Sequence, residues 1–364
     1  MDRRHFLSML GLGAVGLTLP GVAQADILKQ AAANPNIKPI SGSWFEFQHP
    51  GGKEGVYWDK DLRQFTAAQW REKIREISET GMEYLVMMNV AAHGKAFFDT
   101  KLAPKFEMGC EDPIETVLSA ADEFGVKFFV SNDFWGELDA YTMMIDKGVQ
   151  KLRFRSMEEV AQKYSHHESF YGWYFPNEAQ LQPYFIDECV KYVNDCADFA
   201  QRLTPNCVNL IAPYFIKEAR FDDYFVRQLE KMNIDIIAYQ DGVGVNHTAL
   251  EDSARFYEIL YKAHEKASRA RLWADMELFY FEDGDGGNLL PADFNKRIIR
   301  QMENISPFVD KILCYQYIGI MNKPGTDIIA GHPDSLRLYE QYSAWYNQLS
   351  LIHISEPTRL LSIS

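Results

Sequence analysis

The chain has 364 residues, a formal net charge of −14 at pH 7 and 47% hydrophobic residues. That composition excludes a disordered chain, a collagen-like repeat and a polytopic membrane protein. The acidic excess argues against nucleic acid as a partner, because its binders need a basic face.

The N-terminus reads as an export signal. Arg3-Arg4 precedes an apolar run from Phe6 to Leu19, and Ala23-Gln24-Ala25 has the small-x-small form of a cleavage site. The run is shorter than the roughly 20 residues a membrane span needs. Arg3-Arg4 with Phe6-Leu7 resembles a twin-arginine signal, with Asp2 where Ser or Thr is usual. Residues 1–25 are therefore expected to be removed, leaving a periplasmic or secreted protein with no membrane span and a linker over 26–37. Gly11, Gly13 and Gly16 spell G-x-G-x-x-G. They lie inside the apolar run with no strand before them, so a dinucleotide site is not expected.

Short apolar, β-rich runs then alternate with amphipathic helical stretches. The strands are expected at 40–47, 84–90, 126–132, 170–176, 208–215, 234–240, 272–279 and 312–318. The helices are expected at 66–80, 113–124, 157–164, 183–202, 221–232, 248–268, 291–305 and 333–347. Trp70, Ile74 and Ile77 share one helical face, Gly81 stops that helix, and Asp112-Pro113 starts the next with a cap and an N1 proline. Eight strand–helix units with continuous apolar strands predict a closed parallel (β/α)8 barrel, α/β in class, as one domain over 38–348. An open doubly wound sheet would want a glycine-rich phosphate turn after an early strand, which is missing. The loops leading from strand to helix are the long ones (91–112, 133–156, 241–247, 280–290 and 319–332), and in a barrel those loops build the active face.

At the far end, residues 349–364 resemble the translation of a sequencing-library adapter, so the native chain is expected to end near Gln348. The five cysteines (110, 189, 196, 207 and 314) show no close pairing. They are expected to be mostly free and buried.

Chemistry is expected from carboxylates at strand ends. The fourth strand closes on Asn177-Glu178 and the seventh on Asp275-Met276-Glu277, across the barrel mouth from one another. Two carboxylates so placed can flank a sugar ring, one as acid and one as nucleophile, when they lie about 5–5.5 Å apart. The acid needs its pKa raised, while the nucleophile must stay ionised. Substrate contacts are expected from Trp44, Glu46, Asn132, Asp133, Trp135, Gln240, Asp241, Trp273 and Tyr317. Each has a structural counterpart: Asn177 and Glu178 as helix-start chemistry, Glu277 as a buried ion pair, Gln240-Asp241 as turn residues before Gly242, Tyr315 and Tyr317 as core. A lone His such as His49 or His93 is expected to be exposed. The basic run Lys151, Arg153 and Arg155 reads as a solvated face or as a contact for an acidic sugar. His166-His167 lacks a third ligand at usable spacing, the acidic loop 282–287 fails the calcium-loop count, and no metal or cofactor is expected.

The Asn-Glu ending the fourth strand, with a Glu ending the seventh, resembles the clan of retaining (β/α)8 glycoside hydrolases. The resemblance implies Glu178 as acid/base, Asn177 as the contact to the sugar 2-hydroxyl and Glu277 as nucleophile. More closely, Ser41–Phe47, Gly172–Glu178, Ala238-Tyr-Gln-Asp-Gly-Val-Gly244 and Trp273–Phe279 resemble a bacterial barrel family known as a domain of unknown function (4434 type) and grouped with glycoside hydrolases. That implies an exported enzyme acting on an oligo- or polysaccharide without a cofactor. A barrel that binds carbohydrate without cleaving it is the alternative. A metal-assisted hydrolase would want His and Asp converging at the strand ends, where this chain is poor in them.

Overall fold

The computed structural model describes residues 36–132, 139–177, 180–284 and 286–355. The expected signal segment and most of the expected linker lie outside them. Eight strands alternate with eight principal helices: β1 (Ile40–Phe45), α1 (Ala67–Ser78), β2 (Tyr84–Met87), α2 (Pro113–Phe124), β3 (Lys127–Ser131), α3 (Lys147–Tyr164), β4 (Phe170–Tyr174), α4 (Asp187–Leu203), β5 (Val208–Ile211), α5 (Asp223–Lys231), β6 (Ile236–Gln240), α6 (Ser253–Ala267), β7 (Arg271–Glu277), α7 (Ile299–Ile305), β8 (Ile312–Tyr315) and α8 (Asp334–Ser355). All eight strands are parallel, each pairs with its neighbours in sequence, and β1 closes the cylinder against β8 and β2. This is the single-domain (β/α)8 barrel expected from the strand–helix alternation.

Local chemistry explains where the elements begin and end. Thr66 and Gln69 form a reciprocal capping box at the start of α1, satisfying two of its orphan N–H groups. Asp112 caps α2 and Pro113 occupies its first turn, while Gly125 ends it at φ 71°. The strand period of two then sorts side chains between two layers. Trp44, Val86, Phe129, Leu210, Ala238, Trp273 and Leu313 fill the barrel interior. Phe45, Phe128, Ile237, Met276 and Cys314 face the helices in the surrounding core. All five cysteines are free and four are buried, as expected. No helix among the described residues is long and apolar enough to cross a membrane.

Three stretches differ from the sequence reading. Helix α3 starts at Lys147, not Met157, because Asp146 caps it by accepting the Gly148 and Val149 N–H groups. Its first turns are rich in Lys and Arg and show no apolar period, so the pattern hid them. Arg153 of that basic run is buried; its guanidinium donates to the Met143 carbonyl at 2.6 Å and lies over the Tyr192 ring. Helix α7 is preceded by a π-helical turn, Phe294–Ile298, which sets Arg297 and Gln301 beneath β7. Helix α8 runs past Gln348 to Ser355, and Leu349 is 5% exposed within the core.

Candidate active site

The loops beyond the strand C-termini enclose a cavity of about 620 Å³. Trp44, Tyr174, Gln240, Asp275 and Tyr315 line it from the strands, and each has an inward position set by the strand period. The walls come from the strand-to-helix loops: His49 and Glu54 after β1, Asp139 and Met143 after β3, Tyr214 and Phe215 after β5, His247 after β6, and Phe279 and Phe281 after β7. Among the described lining residues there is no Lys or Arg, but there are four carboxylates: Glu54, Asp139, Asp275 and Glu277.

Strand β7 places three side chains in a column. Trp273 lies lowest, packed edge-on against Tyr84 and Phe129 at 5.1 and 6.2 Å. It is 1% exposed and does not line the cavity, so it belongs to the interior packing and not to a sugar platform. Asp275 and Glu277 stand above it, two and four residues on, and both reach the cavity. Sequence reasoning singled out Glu277 but missed Asp275, although the same alternation would have found it.

Glu277 is nearly fully buried, and its Oε2 accepts the Val245 N–H at 2.9 Å. Asp241, fully buried at the end of β6, sits behind it. Asp241 Oδ1 accepts the Val243 and Glu277 N–H groups, each at 3.2 Å, and its Oδ2 accepts the Gln301 amide at 2.6 Å. Gln301 also donates to the Glu277 carbonyl, and the Arg297 guanidinium donates to the carbonyls of Glu277 and Phe279. Burial raises both carboxyl pKa values, and the Asp241 charge raises that of Glu277 further, to about 8. Two neighbouring buried carboxyl groups cannot both ionise cheaply. The pair therefore favours holding one proton, so the carboxyl expected to stay ionised as nucleophile is instead one whose proton affinity is raised.

The segment Ala238–Gly244 thus has a physical reading. Gln240 lines the cavity and donates to the Ala212 carbonyl, and Asp241 anchors the end of β7. Gly244 lets the loop lie on Glu277: a Cβ there would stand 2.5 Å from the Phe279 carbonyl oxygen and 2.9 Å from Glu277 Oε2. Asp241 was expected to touch substrate. It is 0% exposed, is absent from the cavity lining and is engaged with Glu277 and Gln301.

Other expected contacts divide the same way. Trp44 lines the cavity, edge-on to Tyr174 at 5.9 Å. Glu46 does not line it. Its Oε1 accepts the Trp58 indole N–H at 2.7 Å and the Gln316 amide at 2.8 Å, and burial raises its pKa to about 7. Tyr317 is turned outward to donate to Glu76 of α1 at 2.7 Å, because β8 ends at Tyr315 and the period of two stops there. Tyr315 occupies the cavity position instead. Asn132 is buried at the end of β3, and neither of its amide atoms has a hydrogen-bond partner among the described residues. Asn177 donates to the Ala140 carbonyl at 2.9 Å. Glu178, Asp133 and Trp135 lie outside the described residues.

Two histidines line the cavity. His49, expected to be exposed, is buried: Gly51 N–H donates to its Nδ1, and its Nε2 lies 2.9 Å from the Tyr315 hydroxyl and 3.4 Å from Glu54 Oε2. His247 stacks on Phe215, which is itself held at φ 68°, a conformation bulky side chains rarely adopt. No sequence signal marked His247; the stack joins the loops after β5 and β6, which only the barrel brings together.

Residues 40–327 match the family described as "Domain of unknown function (DUF4434)", and the chain belongs to that family. None of the curated proteins compared with the chain matches it. Among solved structures, it resembles a Bacteroides thetaiotaomicron VPI-5482 protein assigned as an alpha-L-fucosidase. Their identity is 16% and TM-score 0.63, with 86% of this chain and 96% of the other covered. A glycoside hydrolase family 5 mannosidase from Rhizomucor miehei aligns at 10% identity and TM-score 0.51 over 87% and 94% of the two chains. A beta-galactosidase from the psychrophilic Marinomonas ef1 aligns at 11% identity and TM-score 0.55 over 86% and 60%. At these identities the likeness establishes the barrel fold.

Proposed function

We propose that the chain is a glycoside hydrolase that cleaves an oligo- or polysaccharide with retention, exported through its N-terminal signal. Glu277 is the nucleophile and Glu178 is the acid/base. The observation that carries the reading is the Glu277 carboxylate. It lines a deep cavity at the C-terminal face of a closed barrel, held by a backbone N–H and backed by a second buried carboxylate. Trp44, Tyr174, Tyr214 and Phe215 offer aromatic faces of the kind that stack on sugar rings. The carboxylates of Glu54, Asp139 and Asp275 accept hydroxyl hydrogen bonds.

The chemistry divides into two steps. Glu277, ionised, attacks the anomeric carbon while Glu178 protonates the leaving oxygen. Glu178 then takes a proton from water as that water releases the sugar. Asp241 acts through Glu277 as a positioning residue: it fixes the backbone at the end of β7 and raises the proton affinity of the nucleophile. Attack needs the ionised form, so kcat/KM rises with pH along an acid limb displaced above the ordinary glutamate range.

A panel of polysaccharides and aryl glycosides, read by released sugar, tests the activity. Glu178→Ala then tests the mechanism. With an activated aryl glycoside the first step survives, because a good leaving group needs little acid help. Azide restores turnover as a glycosyl azide of retained configuration. A variant with wild-type turnover on natural linkages, or a product of inverted configuration, defeats the assignment.

A further inference from the structure

We propose that Glu115, His166 and His167 form a zinc-class divalent-cation site on the outside of the barrel. His166 and His167 lie in the turn between α3 and β4 and supply two ligands; helix α2 supplies the third from about fifty residues earlier in the chain. One ligand atom from each residue lies within 4.8 Å of the others. His167 Nε2 and Glu115 Oε2 are 3.1 Å apart. Two ligands bound to one zinc ion at about 2.0–2.2 Å in tetrahedral geometry stand roughly 3.3–3.5 Å apart, so little movement is needed.

The groups that orient the ligands are in place as well. Asp122 Oδ2 lies 2.6 Å from His167 Nδ1, and Asp122 Oδ1 accepts the Ser169 N–H at 2.6 Å. Asp122 holds the Nδ1 proton, so Nε2, which donates to Glu115 in the metal-free chain, is the atom a zinc ion would take once its proton leaves. The His166 ring lies 4.2 Å from that of His167, and His166 is exposed, which leaves an entry path and room for water as fourth ligand. Two imidazoles and one carboxylate suit zinc, whereas magnesium and calcium want oxygen ligands. None of these residues lines the cavity, so the inference is independent of the hydrolase reading.

Calorimetric titration of the tag-free chain with zinc chloride tests it. One zinc binds per chain, and millimolar magnesium does not compete. Glu115→Ala and His166→Ala each weaken binding at least roughly tenfold, and Asp122→Asn weakens it about 10–100-fold. His166 is exposed, so His166→Ala keeps the fold even where Asp122→Asn loses it; circular dichroism checks both. If the wild-type chain takes up no zinc, or if His166→Ala and Glu115→Ala bind it as tightly as wild type, the cluster is an ion pair alone and the proposal falls.

Discussion

Glu277 and Asp241 are two buried carboxyl groups joined through the end of β7, and they give opposite signs for activity and stability. Glu277→Gln removes the proposed attacking group, so turnover on a confirmed substrate falls by roughly 10³-fold or more. The amide cannot ionise, so the cost of the buried Glu277 charge disappears at high pH, and above about pH 8 the thermal midpoint of Glu277→Gln stays at or above that of wild type. Asp241→Asn keeps the shape and removes the charge that raises Glu277. Its acid limb in kcat/KM moves to lower pH; an unmoved limb in an active Asp241→Asn variant means that Asp241 serves the fold alone. At this scale the sequence was readable where a strand period fixes direction: Glu277 and Trp44 face the cavity because alternation sends them there. It was unreadable where a partner arrives from another element. Nothing in the sequence near Asp241 announces Gln301, sixty residues on, and nothing near Glu46 announces Trp58 and Gln316. The expectation that these acids touch substrate failed for that reason.

Among the elements, α2 shows how a cap couples helix formation to packing. Asp112 accepts the Glu115 N–H at 3.1 Å, and both its oxygens accept the buried Tyr164 hydroxyl at 2.9 Å. Asp112→Ala loses the cap, about 1 kcal/mol, and strands the hydroxyl, about 1–3 kcal/mol more. Asp112→Asn keeps one acceptor oxygen, which can take the Glu115 N–H and the Tyr164 hydroxyl together, and loses less; urea denaturation of the pair reads the difference. Boundaries were legible where caps and glycines mark them, as for α1 and α2. They were hidden where a helix starts on charged residues, as for α3. Helix α8 crosses the position at which the native chain was expected to end. Fully burying a leucine is worth about 1.5–3 kcal/mol, so truncation after Gln348 lowers the thermal midpoint by a few degrees through loss of Leu349. Equal midpoints for the truncated and the full chain mean that Leu349 adds nothing, as expected of a foreign tail.

For the whole molecule, buried acids decide how stability depends on pH. Burial raises Glu277 to about 8, Glu46 to about 7 and Asp59 to about 6. In each case the folded state holds the proton more tightly than the unfolded chain. Such a group contributes its full stability below its unfolded pKa, near 4.5 for Glu and 3.8 for Asp, and loses it as pH rises through the folded value. His264 has the opposite sign: burial lowers it to about 4 from 6.5, so its contribution is present above 6.5 and is lost as pH falls toward 4. The acids thus erode stability from about pH 4 to 8, and His264 from 6.5 down to 4. On these groups the thermal midpoint is expected to be highest near pH 4 and to decline toward pH 8. Glu277, Glu46 and Asp59 together outweigh the one histidine between pH 4 and 6, so the decline with rising pH wins there. Glu46→Gln tests the cause away from the proposed catalytic pair. The glutamine keeps a carbonyl oxygen to accept the Trp58 indole N–H and cannot ionise, so the midpoint of this variant falls less between pH 6 and 8 than that of wild type. If wild type and Glu46→Gln decline in parallel across that window, Glu46 is already ionised in the folded protein, and the burial argument for it is wrong.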